Sequence, residues 1–277
     1  MNNECLHFTL KKLFSSLRVE IEEAELVQCS DSWQCKDKAW ESNQIYYVID
    51  GEFHIVTDTL DRVIKQGEMV LIPAGVHVTC EKTVNNKLYK YWIKFKSDFN
   101  TVNVFELIKT NTVITIANKR DAEDLFYNLI FKNNCVAPAA RIMYRNSYLM
   151  MILALFIDNA MTDGITLSRY GVDFEKIISY MYDNMHRDLS VSELASLAHL
   201  SNDYFSQLFR QTFFVSPVKF LNEMRIERAK ELLSEGEMKI TEVAEKVGFN
   251  DVSHFNKTFK KQVGYSPRKS KTYTVME

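Results

Sequence analysis

The chain has 277 residues, 46% of them hydrophobic and 25% charged, with a formal net charge of -2 at pH 7. Length suggests two domains, and the composition is that of a soluble globular protein, with no overall basic character to announce a nucleic-acid partner. Five scattered cysteines, Cys5, Cys29, Cys35, Cys80 and Cys135, form no C-x-x-C pair and are odd in number, so neither a disulfide framework nor a zinc site is supported, and reduced thiols in a cytosol fit best.

The N-terminal MNNECLHFTLKK lacks the long apolar core of a signal peptide. Residues 6–17 fit either a short helix or a mobile arm, and the pattern does not choose. From about residue 20 the texture changes to short strands separated by turn residues. IYYVI at 45–49 runs into Asp50-Gly51, a hairpin signal. Strands follow at 53–56, 62–64, 69–72, 77–80 and 88–95, punctuated by Gly67 and Pro73-Ala74-Gly75. Many short strands of this kind suggest a sandwich or barrel. A closed or catalytic metal site takes three or four protein ligands, but His54 and His77 stand isolated and no His-x-His exists. No metal and no cofactor is expected. His77 reads first as a hydrogen-bonded strand residue at the barrel mouth; with Tyr47 and Trp92 it is also a candidate pocket-lining, ligand-binding residue.

After about residue 118 the period becomes helical. Residues 120–132 gather Ala122, Leu125, Phe126, Leu129 and Ile130 on one side. Residues 139–161 form a longer helix, apolar beyond a single stripe near its end and so covered on more than one side. Its YLMMILALFI run is too short to span a bilayer. Core packing within the chain covers part of it, and a matching helix from a second subunit would cover the rest. Residues 162–172, with Gly164 and Gly171, read as an interdomain connection. A helix at 174–185 follows, with Phe174, Ile177, Ile178 and Met181 inward.

The last hundred residues hold a repeat. VSELASLA at 191–198, a turn at His199-Leu200 and SNDYFSQLFRQTF at 201–213 make a helix-turn-helix. ITEVAEKV at 240–247, a turn at Gly248-Phe249 and DVSHFNKTFKKQV at 251–263 make a second, about 50 residues on. Phe205, Leu208, Phe209 and Phe213 form the apolar back of the first polar-fronted helix; Phe255, Phe259 and Val263 form that of the second. Small Ala195 and Ala244 let each helix pair cross closely. Ser201 caps one recognition helix, Asp251 or Asn250 the other, and Ser190 or Ser192 the first unit. From Phe174 on there are 15 Lys+Arg and 14 Asp+Glu, which argues against strong non-specific DNA binding. Lys257, Lys260, Lys261, Arg268, Lys269 and Lys271 nevertheless cluster around the second recognition helix; a solvated face near a terminus is the plainer reading of that cluster.

At these residues the chain resembles the AraC-type family of bacterial transcription regulators. The helix at 217–233, with Phe220, Leu221, Arg225, Ala229, Leu232 and Leu233, is similar to the family's linker helix. Ile240, Val243, Ala244, Val247, Gly248, Phe249, Phe255, Phe259, Lys260, Gly264, Ser266 and Pro267 match its second unit. Phe214 departs from a usual glycine after the first recognition helix, and Ser270 from a usual aromatic. Gly51, Gly67, Pro73, Gly75 and His77 look like the family's cupin-like sensor barrel, a weaker match.

The resemblance implies an α+β chain: a cupin-like jelly-roll barrel with packed helices over 1–161 (barrel about 20–115, helices about 120–161), a linker over 162–172, and an all-α double helix-turn-helix DNA-binding domain over 173–277. It implies base contacts from Asp203, Ser206, Gln207, Val252, Ser253, Asn256 and Lys257, since early front residues of a recognition helix meet base edges. Gln207 and Asn256 suit adenine, Lys257 guanine, Val252 a thymine methyl; Asp203 suits cytosine or supports its helix N-terminus. Arg210, Lys260 and Lys261 suit phosphates. The expected protein is a non-enzymatic cytoplasmic regulator, a homodimer and an activator of nearby metabolic genes that works with RNA polymerase. Its partners are double-stranded DNA with two half-elements about one turn apart and a small-molecule effector, with a sugar as one option, and no membrane. The alternatives are a regulator controlled by a partner protein or by abundance, and a cupin enzyme with a regulatory tail.

Overall fold

A computed structural model describes residues 3–15, 17–83, 87–99, 102–109, 111–132, 137–160, 166–236 and 238–273. In chain order these form α1 (Asn3–Phe14), β1 (Arg18–Cys29), β2 (Gln34–Lys38), β3 (Asn43–Asp50), β4 (Glu52–Val56), β5 (Asp61–Lys65), β6 (Glu68–Ile72), β7 (Val78–Lys82), β8 (Leu88–Phe99), β9 (Val102–Asn103), α2 (Val104–Leu107), β10 (Ile108–Lys109), β11 (Val113–Thr115), α3 (Lys119–Ile130) and α4 (Pro138–Ala160). Then come β12 (Thr166–Arg169), β13 (Val172–Asp173), α5 (Phe174–Asp183), α6 (Val191–Leu197), α7 (Asn202–Phe213), α8 (Pro217–Glu235), α9 (Ile240–Lys246), α10 (Val252–Val263) and α11 (Pro267–Tyr273). The chain divides into two compact units, Ser16–Leu167 and Ser168–Glu277 joined by Met1–Ser15. No described helix is long and apolar enough to cross a membrane.

The Ser16–Leu167 unit is built on two antiparallel sheets, ordered β1-β8-β3-β6-β11, with β9 paired to β8, and β2-β7-β4-β5. Strand alternation explains why both faces of β3 are buried. Tyr46 and Val48 point to the second sheet and pack with Phe53, Ile55, Val78 and Cys80. Tyr47 points to the opposite face, where its ring stacks on Phe126 of α3 at 5.5 Å, and Tyr91 stacks on the same ring at 5.0 Å. Where a jelly-roll barrel is expected, the described strands form two packed sheets with helices on the back of one, an arrangement consistent with a barrel but not closed into one. Gly51, at φ +83°, is fixed by close approach: a Cβ there would lie 1.7 Å from the Lys87 carbonyl oxygen.

One charge lies in this core. Lys90 is 3% exposed. Its Nζ sits 3.6 Å from the centroid of Tyr46, 3.9 Å from that of Trp33 and 5.3 Å from that of Phe53, so ring faces replace part of its hydration. Burial lowers its pKa from 10.5 to about 8. Below pH 8 the native and unfolded chains both hold the proton. Between about 8 and 10.5 the native state releases it while the unfolded chain keeps it, so this group makes stability rise with pH, by up to about 1.4 kcal/mol per pH unit. Urea midpoints at pH 7.5 and 9.5 should show that rise relative to Lys90→Met, which lacks the titration; equal pH slopes in both proteins would remove the assignment.

The second unit is all-α apart from the β12–β13 hairpin. That hairpin, turning at Tyr170 (φ 49°) and Gly171 (φ 75°), occupies part of the expected linker; residues 162–165 of that stretch lie outside the described residues. The N-terminal stretch is a helix, and its grouping differs from the expected 1–161 domain. α1 buries Cys5, Leu10 and Leu13 against this unit. Phe8 meets Phe220 edge-on at 5.5 Å, Lys11 pairs with Glu227 at 2.8 Å, and Lys12 pairs with Glu223. An apolar stripe with a basic end on α1, facing a phenylalanine and two acids on α8, accounts for the placement. Cys135 and the side chain of Lys271 fall outside what is described.

Candidate nucleic-acid interface

Each helix-turn-helix forms where its local signals direct. Ser190 caps α6, its hydroxyl accepting from the Glu193 amide at 3.1 Å, and Ser201 caps α7 by accepting from Tyr204. Asp251 caps α10, accepting from Ser253 at 2.8 Å and His254 at 3.2 Å. In α9 the Glu242 carboxylate accepts from the Lys239 amide at 2.8 Å, half of a capping box. Ala195 and Ala244 are fully buried at the helix crossings.

Aromatic packing holds the backs. Phe209 lies 4.7 Å from Phe213 and 5.4 Å from Phe220, while Phe174 closes on Phe213 at 5.2 Å. In the second unit Phe249, Phe255 and Phe259 pack with Ile226, Ala229, Leu232 and Leu233 of α8. These rings are core, so none is a stacking platform for bases.

The two units end their helices alike with different residues. Gly264 caps α10 at φ +89°, and Phe214 caps α7 in the same left-handed region at φ +59°. The departure at Phe214 therefore leaves the helix end intact and stores strain there. Phe214→Gly should stabilise this unit by about 1 kcal/mol, measured as a shift in its denaturant midpoint. No gain would mean that the ring's packing offsets the backbone cost.

The polar fronts are free. Asp203, Gln207 and Arg210 on α7 are exposed and Ser206 is half-buried; Ser253, Asn256, Lys257, Lys260 and Lys261 on α10 are exposed and Val252 is half-buried. Asp203 and Ser206 sit with Gln207, Arg210, Gln211 and Phe214 along one shallow groove. Every base- and phosphate-contact candidate named from the sequence thus lies on one of two solvent-facing edges. Asp203 sits in the first turn of α7, where a carboxylate favours the positive helix end.

What fixes those two edges relative to each other is a junction that the sequence pattern contains but does not explain. Arg225, from α8, donates through Nε to the Met185 carbonyl at 2.8 Å and through Nη2 to the Arg187 carbonyl at 2.7 Å. Burial depresses its pKa. Gly248, in the turn of the second unit, comes against the same loop: a Cβ would lie 2.1 Å from the Met185 carbonyl oxygen. The guanidinium and the glycine clamp the second turn onto the segment that leads into the first unit. Arg187 in turn pairs with Glu193 at 2.5 Å and donates to the Tyr180 hydroxyl at 2.8 Å.

The ligand-binding candidates fare differently. Tyr47 is fully buried between sheet and helix, on the face away from the second sheet. His77 is exposed and its Nδ1 lies 2.8 Å from Asp37 Oδ1. Trp92 donates from Nε1 to Gln44 Oε1 inside the sandwich. They come together nowhere, because alternation along β3 and β8 sends Tyr47 and Trp92 to opposite faces. Instead, a cavity of about 520 Å³ lies beside β6, walled by Ile55, Leu60, Val70, Ile72, Val76 and Phe105 among others. Nothing in the sequence distinguishes those aliphatics from ordinary core. Among the described residues, no group of three or more His, Cys, Asp or Glu could hold a metal ion.

Comparison with known proteins follows the same division of the chain. Residues 194–272 match the family described as "Helix-turn-helix domain". An uncharacterized HTH-type transcriptional regulator of Bacillus subtilis is 32% identical over 33% of this chain and 38% of its own length. The raffinose operon transcriptional regulatory protein of Pediococcus pentosaceus is 33% identical over 34% of this chain and 34% of its own. The chain thus spans little more than a third of those relatives. The Msm operon regulatory protein of Streptococcus mutans is 20% identical over 81% of this chain and 82% of its own.

Proposed function

We propose that this chain, which carries an AraC-type helix-turn-helix domain at residues 194–272, is a sequence-specific DNA-binding transcription regulator whose N-terminal unit senses a small molecule. The observation that carries the reading is the pair of exposed, polar recognition edges on α7 and α10, held on one α8 by the Arg225–Gly248 junction. Major-groove edges of B-DNA offer the donor and acceptor pattern that Gln207, Asn256 and Lys257 suit. Of the relatives reported above, two are named as transcriptional regulators and the third as an operon regulatory protein.

Two helices on one rigid spacer enter successive major-groove segments on one DNA face. The site therefore has two half-elements about 10 bp apart in direct orientation. In this reading the protein works in the cytoplasm, alongside the DNA it binds. Selection of bound sequences from a random library, followed by hydroxyl-radical footprinting, tests this. The expected result is one enriched motif with two protected segments one turn apart. Binding with no preferred sequence would overturn it.

The protein acts as a homodimer in this reading. α4 leaves Met143, Met150 and Met151 at 72%, 36% and 52% exposure along one side of the helix, an apolar surface that a second copy of the helix would cover. Sedimentation at micromolar concentration reads that directly, and a monomer would exclude it. The raffinose regulator is named for a sugar operon, but its match is confined to a third of this chain, so the effector is argued from the cavity alone.

A further inference from the structure

We infer that the effector is a small apolar molecule without negative charge, bound in the cavity beside β6 and not among the aromatic residues of the sandwich interior. This rests on the reading that the N-terminal unit is a sensor, and it adds the ligand's chemistry.

Three observations carry it. First, the centre of the space between the sheets is filled, and the cavity opens toward its margin. Tyr46, Phe53, Trp33 and the Lys90 ammonium occupy the centre in ring contact, with Tyr46 and Phe53 centroids 5.9 Å apart and Trp33 and Phe53 5.6 Å apart. Second, the sheet edge leaves an opening past β11. β11 pairs with β6 from Thr115↔Glu68 to Val113↔Val70, and a last backbone hydrogen bond runs from the Leu71 amide to the Thr112 carbonyl at 2.9 Å. Beyond it, Leu71, Ile72 and Pro73 line the cavity, with the turn at Thr57–Leu60 on one side and Phe105 and Ile108 on the other. At about 520 Å³ the space is in the range of small-ligand sites.

Third, the walls choose the chemistry. The lining is aliphatic or aromatic except for Thr57, Asp58, Thr59 and Thr112. Thr57 Oγ1 already accepts from the Thr59 amide at 3.3 Å. A sugar would bring several hydroxyls into a space with few partners for them, and buried polar groups without partners are costly. The charged side chain in the lining is Asp58, an exposed carboxylate at the turn. It repels an anionic head and accepts from a hydroxyl or an ammonium. The fitting ligand has an apolar body against Ile55, Val70, Ile72 and Phe105, with a single donor group toward Asp58.

The test is calorimetric titration of the full chain with straight-chain alcohols of six to nine carbons, the matching primary amines, the matching carboxylates and a panel of monosaccharides. Alcohols and amines should bind at one site, about fourfold tighter per added methylene, and at least tenfold tighter than carboxylates of equal length. Leu60→Trp, at a half-buried turn position, should abolish binding with the unfolding midpoint unshifted. Val76→Phe serves as a second filling variant should the first fail to fold. Binding of monosaccharides alone would overturn the ligand class and leave the sensor reading standing. Carboxylates as tight as alcohols would overturn the exclusion of negative charge, and tight binding that survives both filling variants would overturn the placement. Alcohol binding with no change in DNA affinity would keep the site and remove the sensor reading, whereas no binding by any probe would remove both.

Discussion

Asn256→Ala combined with Lys257→Ala should lower affinity for the selected DNA site by about a hundredfold or more at fixed salt. Each well-formed bidentate contact to a base is worth about 1–3 kcal/mol of discrimination, and both side chains stand exposed on the front of α10, able to reach a base edge. Their exposure also means that the fold is unaffected, so the loss reads recognition and not stability. Specificity should relax at the base pairs under α10 and persist at those under α7. Lys260→Ala with Lys261→Ala should behave differently. Those residues lie further along the helix, at its basic last turn, and suit phosphates. Affinity should fall evenly across sequences, and the salt dependence should drop by about one unit per lysine. Fluorescence anisotropy across a salt series separates the two patterns. A double Asn256/Lys257 variant that binds within threefold of the native protein would show that α10 is not a reading helix.

Gly248→Ala should destabilise the DNA-binding unit by about 3 kcal/mol or more and lower its melting transition by at least about 10 °C. Two costs add. The residue sits at φ +88°, where a Cβ is strained, and the added methyl would lie 2.1 Å from the Met185 carbonyl oxygen and 3.0 Å from Arg225 Nη2. Backbone on one side and an engaged guanidinium on the other leave no easy retreat. Gly264→Ala supplies the comparison. Its φ is +89°, but nothing lies within 4 Å of its Cβ position, so only the conformational cost of about 1 kcal/mol applies. Differential scanning calorimetry of both variants measures the difference. Equal losses would mean that close approach at Gly248 adds nothing. Site-specific binding should fail with Gly248→Ala even where the protein remains folded, because the turn it distorts sets where α10 points.

Much of the DNA-binding half was legible because its information is local. Phenylalanines at helical spacing announce α7 and α10, Ser201 and Asp251 announce their starts, and small Ala195 and Ala244 announce the crossings. Each acts within one or two turns, so the elements follow from neighbours in the chain. The strands of the N-terminal half were legible for the same reason, through Asp50-Gly51, Gly67 and Pro73. The stretch at 6–17 stays open between helix and arm because apolar residues such as Leu10 and Leu13 say that something covers it without saying what.

By itself, then, the chain's order of residues determined two helix-turn-helix units, their polar fronts and a sheet-rich unit before them, since periodicity and capping are near-neighbour effects. Tertiary structure alone decided the rest. It turned Tyr47 and Trp92 to opposite faces, filled the centre of the sandwich with rings and Lys90, and left the opening beside β6 to residues indistinguishable from core. It docked α1 on α8 through Phe220, Glu223 and Glu227, more than two hundred residues away in the chain. It also tied the second turn to the first unit through Arg225 and Gly248. Which buried side chain meets which depends on how separate elements come together in space, and residue spacing along one element carries no record of that.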